Sequence, residues 1–200
     1  MDRPTNVSAS PGVNPRPTEP DVDRHVHILL FGLMGAGKST VGHLVANELG
    51  RPFVDSDSLV ELRSGSRPPD LVERTSVDEL HRVELTVLRQ VLAQRDSVVF
   101  ASAASVLDTI GPDDLGSAWC VWLDTSPTVL AARIRADRHE RPLLGDDPER
   151  VITAQYEARA ARGRELAAVS VATDARTPAE ITALVCRGWR DRASGSRAYG

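Results

Sequence analysis

Apolar residues fall along this chain in short, nearly unbroken runs, separated by stretches in which they recur every three or four positions. Residues 26–31 (Val-His-Ile-Leu-Leu-Phe) form a run of strand length, and beyond the next turn Val41, Leu44, Val45 and Leu49 share one helical face that Gly50 closes. Pro52-Phe53-Val54 reads as a short strand. Leu59, Val60 and Leu62 read as a helix ending near Gly65, and Pro68 and Pro69 open a new segment. A longer helix follows over 77–94, with Leu80, Val83, Leu85, Val87, Leu88, Val91 and Leu92 as its apolar positions. Residues 97–101 and 118–123 are buried-strand candidates, and Ser126-Pro127 opens a helix with a capping residue and a proline at its first position. Residues 138–148 are polar, broken by two prolines, and read as a loop; helix 149–162, strand 168–172 and helix 178–190 complete the series. This alternation predicts an α/β fold of three layers, a five-stranded parallel sheet with helices on both faces.

Composition trims that picture at its ends. Residues 1–23 carry Pro4, Pro11, Pro15, Pro17 and Pro20 among Ser, Thr, Asn and Asp, too little apolar surface to offset chain entropy, and read as a disordered tail. Residues 193–200 read as a second flexible end, which leaves 24–192 as the folded domain. Lys and Arg total 24 against 28 Asp and Glu, a net charge of −4 that argues against a nucleic-acid surface. No segment has membrane-spanning length, and no basic-then-apolar secretory pattern opens the chain. Cys120 and Cys186 are too few and too far apart for a disulfide framework or a zinc site, which suits a reducing cytosol and a cytoplasmic protein.

The candidate chemistry starts where the first strand ends. Gly32-Leu33-Met34-Gly35-Ala36-Gly37-Lys38-Ser39-Thr40 fits G-x-x-x-x-G-K-S/T, between a strand and a helix. Small residues let the backbone curl so that successive N–H groups of Gly35, Ala36, Gly37, Lys38, Ser39 and Thr40 face one concavity, at which the next helix aims its positive end. Lys38 then reaches the β- and γ-phosphates of a nucleotide, and the Ser39 hydroxyl enters a Mg²⁺ shell. Asp55-Ser56-Asp57 follows the second strand, at the sheet edge where doubly wound folds bind ligands; the same residue types also serve as plain helix caps.

With those aspartates added, residues 26–190 resemble the shikimate kinase family. The resemblance implies a phosphate-loop NTPase fold of the nucleoside-monophosphate-kinase-like kind, with an acceptor-binding region at 55–95, a lid at 135–150 and action as a monomer. It implies ATP as phosphoryl donor, Mg²⁺ as cofactor and a small hydroxylated substrate, with shikimate leading to shikimate 3-phosphate. By the same resemblance Asp55 supports Mg²⁺ through water, while Asp57 holds the acceptor hydroxyl and serves as base. Arg141-Pro142-Leu143-Leu144 resembles the lid whose Arg meets the transferring phosphate, and Arg159 aligns with a clamp on the acceptor carboxylate. The segment 173–178 resembles the adenine loop, with Arg176 and Pro178 near the base; Arg135 and Arg138 are both candidates to cover it.

Three departures fall on the acceptor side. His81 stands where the family has a second carboxylate-clamping Arg. A charged two-bond contact of that kind is worth roughly 1.5–3 kcal/mol, and a histidine of ordinary pKa near 6.5 is mostly neutral at pH 7. Ser102-Ala103-Ala104 replaces a Gly-Gly-Gly, so Ala103 and Ala104 narrow the pocket, and a left-handed alanine there costs roughly 1–2 kcal/mol. Ala161-Arg162-Gly163 replaces a Pro-Leu-Tyr. The donor half is intact and the acceptor half altered. That contrast leaves room for a kinase of a different hydroxylated metabolite, or for a nucleotide-binding protein with little catalytic activity.

Overall fold

The four residues of strand β1 (Ile28–Phe31) have no exposed surface, and a strand is buried so completely only when both faces of its sheet are covered. The structure is a computed structural model that describes residues 25–136 and 147–193. The tail read over 1–23, the final residues 194–200 and the lid residues Arg138 and Arg141 lie outside the described residues. After β1 come α1 (Lys38–Leu49), β2 (Phe53–Asp55), α2 (Ser56–Ser64), α3 (Pro68–Arg74), α4 (Val77–Leu92) and β3 (Val99–Ala101). A 3₁₀ helix (Ala104–Asp108), α5 (Pro112–Leu115), β4 (Trp119–Asp124), α6 (Pro127–Ala136), α7 (Pro148–Leu166), β5 (Val169–Ala172) and α8 (Pro178–Ala193) follow.

The sheet has five strands in the order β2-β3-β1-β4-β5, and every pairing is parallel. The chain leaves β1 toward β2 and β3 on one side and later fills β4 and β5 on the other. The end of β1 is therefore the point where strand order reverses, the place such sheets bind ligands. The register puts Asp55 beside Ala101 and Asp124 beside Ala172, so the ends of the strands form one edge. Helix α1 packs on α8, α4 on α2 and α3, and α7 on β4 and α6. Trp122, Trp189, Phe31 and Phe100 are the largest fully buried side chains.

Local reading placed the strands and most helices well. The Pro68-Pro69 segment proves to be a helix of its own, with Pro68 at its first position. The 3₁₀ helix and α5 were not anticipated, being too short for a periodic pattern to show. Helix α7 runs through Gly163 to Leu166 instead of stopping at 162, and its glycine has a packing reason. A Cβ on Gly163 would overlap the indole of Trp122, so this position is small because β4 carries a tryptophan. The departure at 161–163 thus corrects to a matter of core packing at its last residue, while Arg162 donates to the Ile110 carbonyl at 2.7 Å. Cys120 and Cys186 are both buried and unpaired, and burial pushes their thiols up to about 12 and about 11.

Candidate active site

The phosphate loop lies between β1 and α1, and two of its glycines carry the geometry. Gly35 has φ 83° and Gly37 has φ 93°, left-handed values that L side chains rarely adopt. Gly37 then caps α1 and accepts from the Val41 amide at 2.9 Å, so the first turn of the helix opens directly from the loop. Lys38 folds back across the loop, donating from Nζ to the carbonyls of Gly32 at 2.8 Å and Leu33 at 3.2 Å.

Asp55 joins that loop to α2. Its Oδ2 accepts from the Ser39 hydroxyl at 2.6 Å, and its Oδ1 accepts from the Asp57 amide at 3.1 Å as the cap of α2. The helix cap and the Ser39 contact therefore use different oxygens of one carboxylate. The pair sets a hydroxyl and a carboxylate side by side at a helix N-terminus, hard oxygen donors of the kind Mg²⁺ takes. Asp57 is exposed in the first turn of α2.

On the other side of the loop the structure brings in a residue the sequence reading missed. Arg133 of α6 donates to the Gly35 carbonyl at 3.3 Å, and to the Thr173 carbonyl and hydroxyl at 3.1 and 3.4 Å. It spans the gap between the phosphate loop and the segment after β5, where an adenine is expected. Arg135 pairs with Glu149 at 2.9 Å. A helical-face count held the signal: Leu130 and Ile134 pack toward Gly35, and Arg133 lies on the same side. Arg176 donates to the Ala172 carbonyl at 2.6 Å, and Pro178 opens α8 behind a cap in which Thr177 and Glu180 exchange hydrogen bonds. Both are exposed.

The side expected to face the acceptor gathers residues from three elements. His81 and Glu84 lie one turn apart on α4, Ser105 and Asp108 come from the 3₁₀ helix, and Arg159 from α7; the charges of Asp57, Lys38 and Arg159 all act on Glu84. Arg159 holds Asp108 through two bonds, Nε to Oδ1 at 2.8 Å and Nη2 to Oδ2 at 2.5 Å. Burial first, and then the Arg159 charge, lower the His81 pKa below the ordinary 6.5, so this ring is neutral at pH 7. Ala103 and Ala104 are half-buried, but Ala103 is extended at φ −60°, and no non-glycine residue among those described has positive φ. The expected left-handed strain is absent because the backbone there needs no left-handed turn.

Glu84 was not singled out from the sequence. It is buried, and the Ser105 hydroxyl donates to its carboxylate. Burial pushes its pKa from 4.5 up to about 7, against the opposing pull of that hydrogen bond. The folded chain therefore holds this proton more tightly than the unfolded chain, and stability present below pH 4.5 is lost as pH rises to about 7. At about 1.4 kcal/mol per unit, the loss between pH 5 and pH 8 is on the order of 2–3 kcal/mol. Glu84→Gln is expected to lack this component. Urea unfolding of both proteins at the two pH values checks it, and equal pH dependence would refute it.

The family model for shikimate kinase matches residues 34–187 of this chain. The chain belongs to the shikimate kinase family. It is thus a small-molecule kinase. The shikimate kinase of Symbiobacterium thermophilum is 35% identical over 170 residues, covering 84% of this chain and 98% of that one. That of Burkholderia thailandensis is 36% identical over 149 residues, covering 72% and 79%. Among solved structures, the Acinetobacter baumannii shikimate kinase in complex with shikimate aligns over 86% of this chain and 97% of its own, with TM-score 0.77 and 25% identity. A gluconokinase from Sinorhizobium meliloti aligns over 86% and 95%, with TM-score 0.62 and 26% identity. Among the described residues, no helix is long and apolar enough to cross a membrane.

Proposed function

We propose that the protein transfers the γ-phosphoryl group of Mg²⁺-ATP to the 3-hydroxyl of shikimate, yielding shikimate 3-phosphate and ADP, a step of aromatic amino acid biosynthesis. The observation that carries this reading is the meeting of Lys38 and Ser39 with Asp55 and Asp57 at the end of β1, where the strand order reverses. The bond that forms joins the acceptor oxygen to phosphorus, the bond that breaks joins phosphorus to the β–γ bridging oxygen, and the hydroxyl proton goes to Asp57. Phosphoryl transfer of this kind depends on positioning and charge neutralisation more than on covalent help.

The amides of Gly35, Ala36, Gly37, Lys38, Ser39 and Thr40 hold the phosphates, and Lys38 leaves its loop carbonyls for the γ-phosphate. Ser39 and Asp55 would hold Mg²⁺, which would supply neutralisation of charge at the transferring phosphate. Arg133, Arg176 and Pro178 border the adenine, and Arg141 from the lid meets the transferring phosphate. Asp57 orients and deprotonates the acceptor, whose ring lies against Ala103 and Ala104 and whose carboxylate faces Arg159 and His81. In this reading the enzyme is a cytoplasmic monomer.

The test is Mg²⁺-ATP consumption with and without shikimate, following ADP and phosphorylated product together. Product well above the acceptor-free rate is expected. No product from a sample that still binds ATP would overturn the choice of acceptor.

A further inference from the structure

Arg159 already holds a carboxylate. The Nε and Nη2 edge of its guanidinium is filled by both oxygens of Asp108, the planar two-bond match that this group makes best. The Arg159 side chain is 13% exposed and that of Asp108 43%, so the guanidinium is enclosed while its partner stands at solvent. Asp108 ends the 3₁₀ helix that begins at Ala104. The hydrogen bonds from Arg159 hold the Asp108 carboxyl below the usual carboxylate range, so it stays ionised. Neutral His81 adds no positive charge to offset it.

We propose that Asp108 is an internal competitor for the acceptor's carboxylate: it occupies the Arg159 fork and sets how tightly a carboxylate-bearing acceptor binds. The inference rests on the shikimate reading of this site. An incoming carboxylate either takes the remaining Nη1–Nη2 edge beside a charge of its own sign or displaces Asp108 toward solvent. Both routes cost affinity through like-charge repulsion, a factor of about 3 to 30 for charges a few ångströms apart at a half-exposed site. An acceptor without the carboxylate is free of this cost. Asp108 is thus a specificity-determining residue that weakens binding of the very group Arg159 recognises.

The test compares wild type with Asp108→Asn and Asp108→Ser, using shikimate and its uncharged methyl ester as probes. Dissociation constants come from calorimetry, KM and kcat from steady-state assays, and thermal melts show that each variant is folded. Both variants are expected to bind shikimate about 3- to 30-fold more tightly and the ester as wild type does, with the gain falling on KM rather than kcat. Shikimate binding equal to or weaker than wild type in both variants overturns the proposal. So does a parallel gain for acid and ester, which would report altered packing and not charge. A wild type that binds shikimate without phosphorylating it, while the variants bind the acid more tightly, overturns the kinase reading alone. Absence of shikimate binding in all three proteins overturns both.

Discussion

Asp57→Asn is expected to lower kcat for shikimate phosphorylation by about 10²–10⁴-fold, the range for a side chain that takes a proton in the transition state. The substitution leaves the backbone of this corner in place. The α2 cap comes from Asp55, which accepts from the Asp57 amide, and an asparagine keeps that amide. Ser39 also keeps its Asp55 partner, so the metal corner is preserved. What is lost is the proton acceptor. ATP affinity should therefore change little while kcat falls. Steady-state kinetics with ATP titration check this, and a loss smaller than tenfold would remove Asp57 from the role of base.

Lys38→Met should cost a further kind of stabilisation, on the order of 10²–10³ in kcat, as for removal of one preorganised donor at a developing charge. Methionine keeps most of the stem and loses the ammonium. That ammonium donates to the Gly32 and Leu33 carbonyls, 2.8 and 3.2 Å away, which holds it over the loop. Its swing to the γ-phosphate exchanges neutral acceptors for anionic ones, and charged hydrogen bonds are the stronger. Unlike Asp57→Asn, this change should also weaken ATP binding, because ground state and transition state share the contact. A variant with wild-type ATP affinity and kcat within tenfold of wild type would assign the phosphate charge to other groups.

These two residues were legible because their chemistry is written locally. Gly35, Gly37, Lys38 and Ser39 sit within a few positions of one another, and only glycine readily adopts the φ values of 83° and 93° found in the loop. The strand before it and the helix after it follow from apolar runs and periodicity, and so did Asp55 and Asp57 at the end of β2. The acceptor side was legible only as a set of departures. Burial lowers the His81 pKa, and the cost assigned to Ala103 and Ala104 rested on a left-handed backbone that is not there. Gly163 was counted with the acceptor pocket, and it answers instead to the bulk of Trp122.

The partnerships that give the site its character cross the chain. Arg159 meets Asp108 over 51 positions, Ser105 meets Glu84 over 21, and Arg133 reaches Gly35 over 98. No spacing rule connects such pairs, since each depends on how α4, α6, α7 and the 3₁₀ helix pack around one sheet. The linear order of residues determined the fold class, the phosphate loop and the aspartate pair, because these depend on local backbone preference and on burial of apolar runs. The tertiary structure decided which arginine bridges the phosphate loop and the segment after β5, which carboxyl is buried and which carboxylate fills the Arg159 fork, because those are fixed by packing between distant elements.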